Sequence, residues 1–364
     1  MTKAAELAKM GEVLDNSQIG RKNIIINGAM QISQRSTSET GLGAASGYFT
    51  LDRYYMVEND ASAGRFTMSQ SAVTDLEGFS NALKIDCTTA DTSIAAGEAL
   101  IIQYRGEGFD CQQLKATSTT TRAMTLSFYA KSNASRAIAT ELRFSNGTNR
   151  QASKLHTIGT SWARYTFTVP AASSMQIDND NSNEMQINFW LHGGSTFTGG
   201  TLSATFEASN NANRAAGIGS IFASTDNEIE ITGIQLEVGS QATPFEHRSF
   251  GEELDLCQRY FQSFTHNGSG GGYVTNGVII SARFYGTFRY QKRMRAIPSS
   301  FTLTSGGFNV QTDVLSVGSQ SIDETHNATI DSVRFRTGQN TNFTNGQGAI
   351  LRFDSGTIDI DAEL

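Results

Sequence analysis

The sequence predicts a mainly β protein: an N-terminal β-sandwich, a short linking α-helix and a smaller C-terminal β-sandwich. Three observations lead there. Of 364 residues 17% are charged and 38% hydrophobic, with 35 Gly against 3 Pro. Polarity therefore comes from Ser, Thr, Asn and Gly, which suits turn-rich sheets better than disorder. Short runs rich in β-branched and aromatic residues recur between turn clusters. Between two such regions a single segment carries helical periodicity instead. The length exceeds one ordinary domain. The expected organisation is a helical segment over residues 1–22, the first sandwich over 23–249, the linking helix over 250–265 and the second sandwich over 266–364.

Taken in order, Ala4, Ala5, Leu7, Ala8, Met10, Val13 and Leu14 are helix formers with an apolar side. A helix of about a dozen residues is marginal alone, so it docks on a partner, self-associates, or frays as a leader. Asn23 to Ile26 is β-branched, and Asn27-Gly28 is a hairpin signal because both residues tolerate positive φ. Strands are then expected at Tyr54 to Glu58, Phe66 to Gln70, Ala82 to Asp86, Ala99 to Tyr104 and Met124 to Ala130. Four more follow at Ala139 to Phe144, Arg164 to Val169, Met185 to Leu191 and Glu228 to Val238. Such spacing indicates a sandwich or jelly roll.

Pro244 ends the sheet ladder, and Ser249 with Glu252 has capping-box spacing, so a helix begins near Phe250. Leu254, Cys257, Phe261 and Phe264 form one apolar stripe along it. Either a second copy or the chain's own sandwich must cover that stripe. His266 to Gly277 reads as a Gly- and Ser-rich connection, with Gly268 to Gly272 a linker. Next, Val278 to Tyr290 reads as one long strand. Its expected core face is Val278, Ile280, Ala282, Phe284, Gly286, Phe288 and Tyr290; Arg283, Tyr285 and Arg289 meet water or a partner. In the last strand Ile358, Ile360, Ala362 and Leu364 alternate with Asp359, Asp361 and Glu363. No repeat of fibre-shaft period is visible.

The stretch LEVGSQATPFEHRSFGEELDLCQRYFQ is accompanied by NIIINGAMQISQR from Asn23, LDRYYMVEN from Leu51, TLSFYAKS from Thr125, WARYTFTVP from Trp162 and the ending TIDIDAEL. In this order they resemble tail-fibre-like and other virion structural proteins of tailed bacteriophages. The resemblance implies that the first sandwich is a jelly roll similar to carbohydrate-binding modules. It also implies a homotrimer, with the stripe Leu254, Cys257, Phe261 and Phe264 at the three-fold axis. Other virion proteins would be met through the N-terminal helix, and the protein would reside in the virion after assembly in the host cytoplasm.

Residues that could carry chemistry are sparse. His156, His192, His247, His266 and His326 lack ligand spacing, and no nucleophile or phosphate-loop motif occurs. No metal site, cofactor or catalytic residue is assigned, and the protein is read as a non-enzyme. Asp178 to Glu184 places oxygen ligands at alternate positions, as a Ca²⁺ loop or as a solvated turn. Cys87, Cys111 and Cys257 suggest no disulfide framework, and Cys257 behaves as a small hydrophobe. A net charge of −7 argues against nucleic acid, and no apolar run approaches a membrane span.

Sugar binding is better motivated, with Tyr54, Tyr55, Tyr104 and Trp190 as candidate stacking rings and Trp162 assigned to the core. Adjacent Tyr54 and Tyr55 must point to opposite sheet faces, leaving one available. Arg289, Lys292, Arg293 and Arg295 could meet anionic polysaccharide or a virion neighbour, or form a solvated hairpin end. The expected function is a tail-fibre or adsorption-appendage component that serves assembly and attachment to host-surface glycan. The alternatives are a head or tail decoration without glycan binding and a polysaccharide depolymerase.

Overall fold

The computed structural model describes residues 3, 21–60, 62–146, 149–266, 272–305, 308–353 and 356–364. Apart from Lys3, the expected N-terminal helix lies outside them, as does most of the Gly268 to Gly272 run. The chain divides into two units, Met1–Glu253 with Leu364, and Leu254–Glu363.

The first unit is a jelly-roll β-sandwich. One six-stranded sheet has the order Ser38–Leu42, Arg65–Ala72, Asn81–Thr89, Glu228–Val238, Met124–Ser132, Ala163–Val169. The facing seven-stranded sheet runs Glu207–Ala208, Arg150–Ile158, Arg136–Phe144, Asn183–Gly193, Ala99–Glu107, Tyr54–Asn59, Gly47–Tyr48. Each of the strands expected from Tyr54 to Val238 is present, all but Glu228–Val238 lengthened at one or both ends. Side-chain alternation builds the core between the sheets. Phe128 of one sheet meets Phe189 of the other edge to face at 5.1 Å. Met185, Ile187 and Phe189 point inward along their strand, so Gln186, Asn188 and Trp190 point to its outer face.

Asn27-Gly28 makes a turn but no hairpin. Asn27 does adopt φ +60°. Its amide, however, bonds the Ile32 carbonyl at 2.8 Å and the Asp52 carbonyl at 3.0 Å, which fixes a buried loop. The preceding Asn23 takes the place of a partner strand. Its Nδ2 donates to the Ile234 carbonyl (3.1 Å) and its Oδ1 accepts from Leu236 N (3.1 Å). A Cβ on Gly28 would lie 2.2 Å from the Ile234 oxygen, so only glycine lets the two backbones approach.

The linking helix begins where the capping box places it, Phe250–Gln258, with Glu252 N donating to Ser249 Oγ at 3.3 Å. It ends earlier than the apolar period suggests. Phe261–His266 is a strand, with Phe261 opposite Asp361 and Phe264 opposite Ile358. Cys257 is fully buried, Phe261 is 3% exposed, and Phe264 packs on Phe288 at 4.8 Å. Leu254, Cys257, Phe261 and Phe264 therefore do not form one uncovered seam for a three-fold axis: Cys257 and Phe261 are buried in the chain itself, and Leu254 and Phe264 are half-buried. All three cysteines are buried.

The second unit is a smaller sandwich. Its three-stranded sheet has the order Phe261–His266, Gly356–Asp361, Ser300–Ser305. Its seven-stranded sheet runs Ser316–Gln320, Phe308–Gln311, Gly348–Phe353, Gly272–Ile280, Arg283–Arg289, Ser332–Thr337, Ile322–His326. Ile279, Phe284, Val310, Val333, Phe335, Leu351 and Ile360 form its core. The long strand expected over Val278 to Tyr290 is instead a hairpin. Ser281 (φ +51°) and Ala282 (φ +58°) make a two-residue turn, with Ile280 opposite Arg283. Such a turn reverses face parity. Ile279 is buried while Val278 and Ile280 are exposed, whereas beyond the turn Phe284 and Phe288 are buried as expected.

Candidate functional site

Of the rings singled out from the sequence, Tyr55 and Trp190 lie on the outer face of the seven-stranded jelly-roll sheet. Tyr54 (0% exposed), Tyr104 (1%) and Trp190 (0%) offer no face to a sugar, so their assignment as stacking rings is corrected. Tyr54 and Tyr104 lie in the interior because their strand positions point inward, where Tyr54 Oη donates to the Asn27 carbonyl at 3.3 Å. Trp190 does sit on the outer face, but the segment after Gly193 covers it. Phe197 lies 5.1 Å from its ring and the Arg214 guanidinium 4.7 Å above it.

Beside Trp190 runs a line of polar side chains. Gln103 Nε2 donates to Asn188 Oδ1 (2.8 Å), Asn188 Nδ2 to Glu141 Oε2 (2.8 Å) and Trp190 Nε1 to the same oxygen (3.0 Å). Arg214 closes the line with Nε to Oε1 (2.9 Å) and Nη2 to Oε2 (3.0 Å). Glu141 is wholly buried, so this network pins the covering segment rather than receiving a ligand. Tyr55 is half-buried on the same face, as the Tyr54/Tyr55 alternation requires. Its ring is already in use. Arg105 stacks on it at 3.9 Å, Tyr48 meets it edge-on at 4.9 Å, and the Leu364 carbonyl accepts from Arg105 and from Tyr48 Oη. Trp162, expected in the core, is half-buried, with Lys131 4.9 Å from its ring and Asp75 accepting from its Nε1 at 2.8 Å.

His192 bridges Ser220 Oγ (Nδ1, 2.7 Å) and Glu98 Oε2 (Nε2, 3.1 Å). Ser220 Oγ also accepts from Phe222 N at 3.0 Å, capping a short helix, so this triad ties loops together. In the Asp178 to Glu184 run Asp180 accepts from Ser182 N and Oγ, while Asp178 Oδ1 accepts from Gln176 and Glu184 Oε1 from Asn146. Burial pushes the Glu184 carboxyl up to about 7. Among the described residues no group of three or more His, Cys, Asp or Glu is placed to hold a metal. No helix among them is long and apolar enough to cross a membrane.

An open concavity lies in the second unit, on the outer face of its seven-stranded sheet. It is a groove of about 600 Å³ across the Gly272–Ile280 and Arg283–Arg289 strands and Arg334 of the next strand. Tyr273, which the sequence reading placed in a linker, stands at 62% exposure on one wall. Tyr285, Thr287 and Arg289 project from alternate positions of the neighbouring strand, and Arg334 lies opposite Thr287 with its guanidinium 5.6 Å from the Tyr285 ring. Asn276 adds an exposed amide. No carboxylate lines the groove. Of the four cations grouped in the sequence, only Arg289 reaches it. Lys292 pairs with Asp255 (2.7 Å), Arg293 with Asp331 (3.9 Å), and Arg295 donates to the Ala362 carbonyl (3.0 Å). The outward alternation of Tyr285 and Arg289 was visible in the sequence; Tyr273 and Arg334, brought in by register, were not.

No family model and no curated protein matches this chain. Solved structures give distant likenesses. A putative sugar binding protein from Bacteroides thetaiotaomicron aligns at 13% identity and a TM-score of 0.31 over 60% of this chain and all of its own (100%). A Family 11 carbohydrate-binding module from Clostridium thermocellum aligns at 12% and 0.27, over 57% of this chain and 99% of its own. The enzymatically active domain of bacteriophage CBA120 tailspike protein 4 aligns at 14% and 0.28 over 60% of this chain, but over only 21% of its own. Likenesses this weak transfer neither ligand nor partner.

Proposed function

We propose that this protein is a structural component of a phage virion, a tail-fibre or adsorption-appendage part that serves assembly and attaches to host-surface glycan. The observation that carries the glycan reading is the groove of the second unit. The exposed Tyr273 ring presents an apolar face for sugar C–H groups, while Asn276 and Thr287 supply amide and hydroxyl partners for sugar hydroxyls. A groove without a carboxylate lacks the acid pair of glycoside cleavage, which supports binding over depolymerisation there. The virion part of the reading, with assembly in the host cytoplasm, rests on the sequence resemblance. A homotrimer would form through surfaces other than the buried Cys257 and Phe261.

Affinity electrophoresis through gels carrying host-surface polysaccharides tests this. Retardation of the wild type, weakened roughly three- to tenfold in Tyr273→Ala, is expected; retardation indifferent to that change removes the groove. A second reading has its own observation: Ile280, Val278 and Ile350 stand exposed in this unit at 51%, 37% and 36%, as a surface that docks a virion neighbour would present them. Pull-down of virion proteins that Ile280→Asp abolishes, with no glycan retarding the chain, would favour it.

A further inference from the structure

Resting on the glycan reading, we infer that the groove is built for an acidic saccharide, with Arg289 and Arg334 reading a carboxylate on the sugar. In the antiparallel ladder Thr287 faces Arg334 and Arg289 faces Ser332. The two arginines are therefore diagonal neighbours, about 7–8 Å apart at the backbone, on one outer face. Neither has an ion pair or a side-chain hydrogen bond among the described residues, and Arg334 Nε is a buried donor without a partner. Two adjacent like charges with no carboxylate between them are unfavourable in the free protein, and an anion lying across them relieves that repulsion. An arginine fork matches a planar carboxylate with two parallel hydrogen bonds.

The remaining lining decides what the carboxylate is attached to. Tyr273 offers an exposed ring for a C–H face, while Asn276 and Thr287 offer hydroxyl partners. A ligand with a carboxylate, an apolar ring face and several hydroxyls is a uronic or similar sugar acid within a polysaccharide. Two arginines and one exposed tyrosine are fewer than the row of phosphate contacts and stacking rings that holds nucleic acid, the other polyanion that stacks on aromatic rings.

The test is titration calorimetry of the full chain with polygalacturonate, alginate, hyaluronate and polysialic acid, each beside its carboxyl-reduced form. At least one acidic polymer should bind roughly tenfold or more tightly than its reduced form, and less tightly as salt rises. Arg289→Gln and Arg334→Gln should each cost roughly tenfold on that polymer and leave the reduced form unaffected. Tyr273→Ala should weaken both forms. The arginines project outward, so the variants should fold, which circular dichroism checks. Equal binding of acidic and reduced forms overturns the acidic reading and leaves glycan binding standing. Indifference to both arginine changes also overturns it, as does tighter binding of a thymidine 12-mer. No binding of any polymer in either form overturns the glycan reading along with it.

Discussion

Replacing Arg214 by Ala should destabilise the jelly-roll unit through a charge that the change never touches. Glu141 is wholly buried and accepts four hydrogen bonds, two of them from the Arg214 fork. Without the fork a carboxylate stays interred, held only by Asn188 and Trp190. Breaking a buried pair by removing one partner costs ~3–5 kcal/mol. The Arg214 side chain is 12% exposed, so water can reach part of the gap and the low end, ~3 kcal/mol, applies. At ~2–4 °C per kcal/mol for a domain of this size, the melting point should fall by ~6–12 °C. Arg214→Lys keeps the charge but loses the fork and should cost only ~1–2 kcal/mol. Both tryptophans, Trp162 and Trp190, lie in this unit, so urea unfolding followed by tryptophan fluorescence reports on it alone. A loss under ~0.5 kcal/mol for Arg214→Ala would refute the argument. So would an equal loss for Lys and Ala, which would make packing on Trp190 and Phe197 the cause.

Two buried groups give pH dependences of opposite sign. Burial holds the His156 imidazole down at about 4, so the unfolded chain takes up the proton first. Its contribution is complete above about 6.5 and is lost as pH falls towards 4, at most ~3 kcal/mol. Glu184, raised to about 7, stabilises most below about 4.5 and loses that contribution as pH rises through 7. Relative to the wild type, denaturant midpoints between pH 4 and 7 should thus fall more steeply with pH in His156→Gln and rise more steeply with pH in Glu184→Gln; parallel profiles for all three would contradict the assignment. Gly277→Ala places a Cβ 2.0 Å from the Tyr285 carbonyl oxygen and should cost ~1–3 kcal/mol in calorimetry, whereas an unchanged transition would mean the hairpin backbone yields freely. Ser281→Asn with Ala282→Gly puts preferred residues at two positive-φ positions and should stabilise the second unit by ~0.5–1 kcal/mol; destabilisation would show that the turn is not of the two-residue kind.

What could be read in advance was whatever depends on neighbours in sequence. Runs rich in β-branched and aromatic residues between turn clusters marked the jelly-roll strands from Tyr54 to Val238, the Ser249 and Glu252 spacing marked the start of the helix, and adjacent Tyr54 and Tyr55 had to face opposite ways. Alternation is a property of one strand's own geometry, so composition and order suffice. Tertiary structure decided the rest. Ser281-Ala282 carries no turn signal, yet ladder pairing with Gly348–Phe353 and Ser332–Thr337 makes a hairpin there and exchanges the faces of its first strand. The Leu254 to Phe264 stripe looked uncovered because the strand that pairs with Phe261, Gly356–Asp361, lies about a hundred residues further on. Trp190 stands on an outward position and is buried all the same, because Arg214 and Phe197 fold back over it. The groove joins Tyr273, Arg289 and Arg334 from three strands, and only the register between those strands places a ring beside two guanidinium groups.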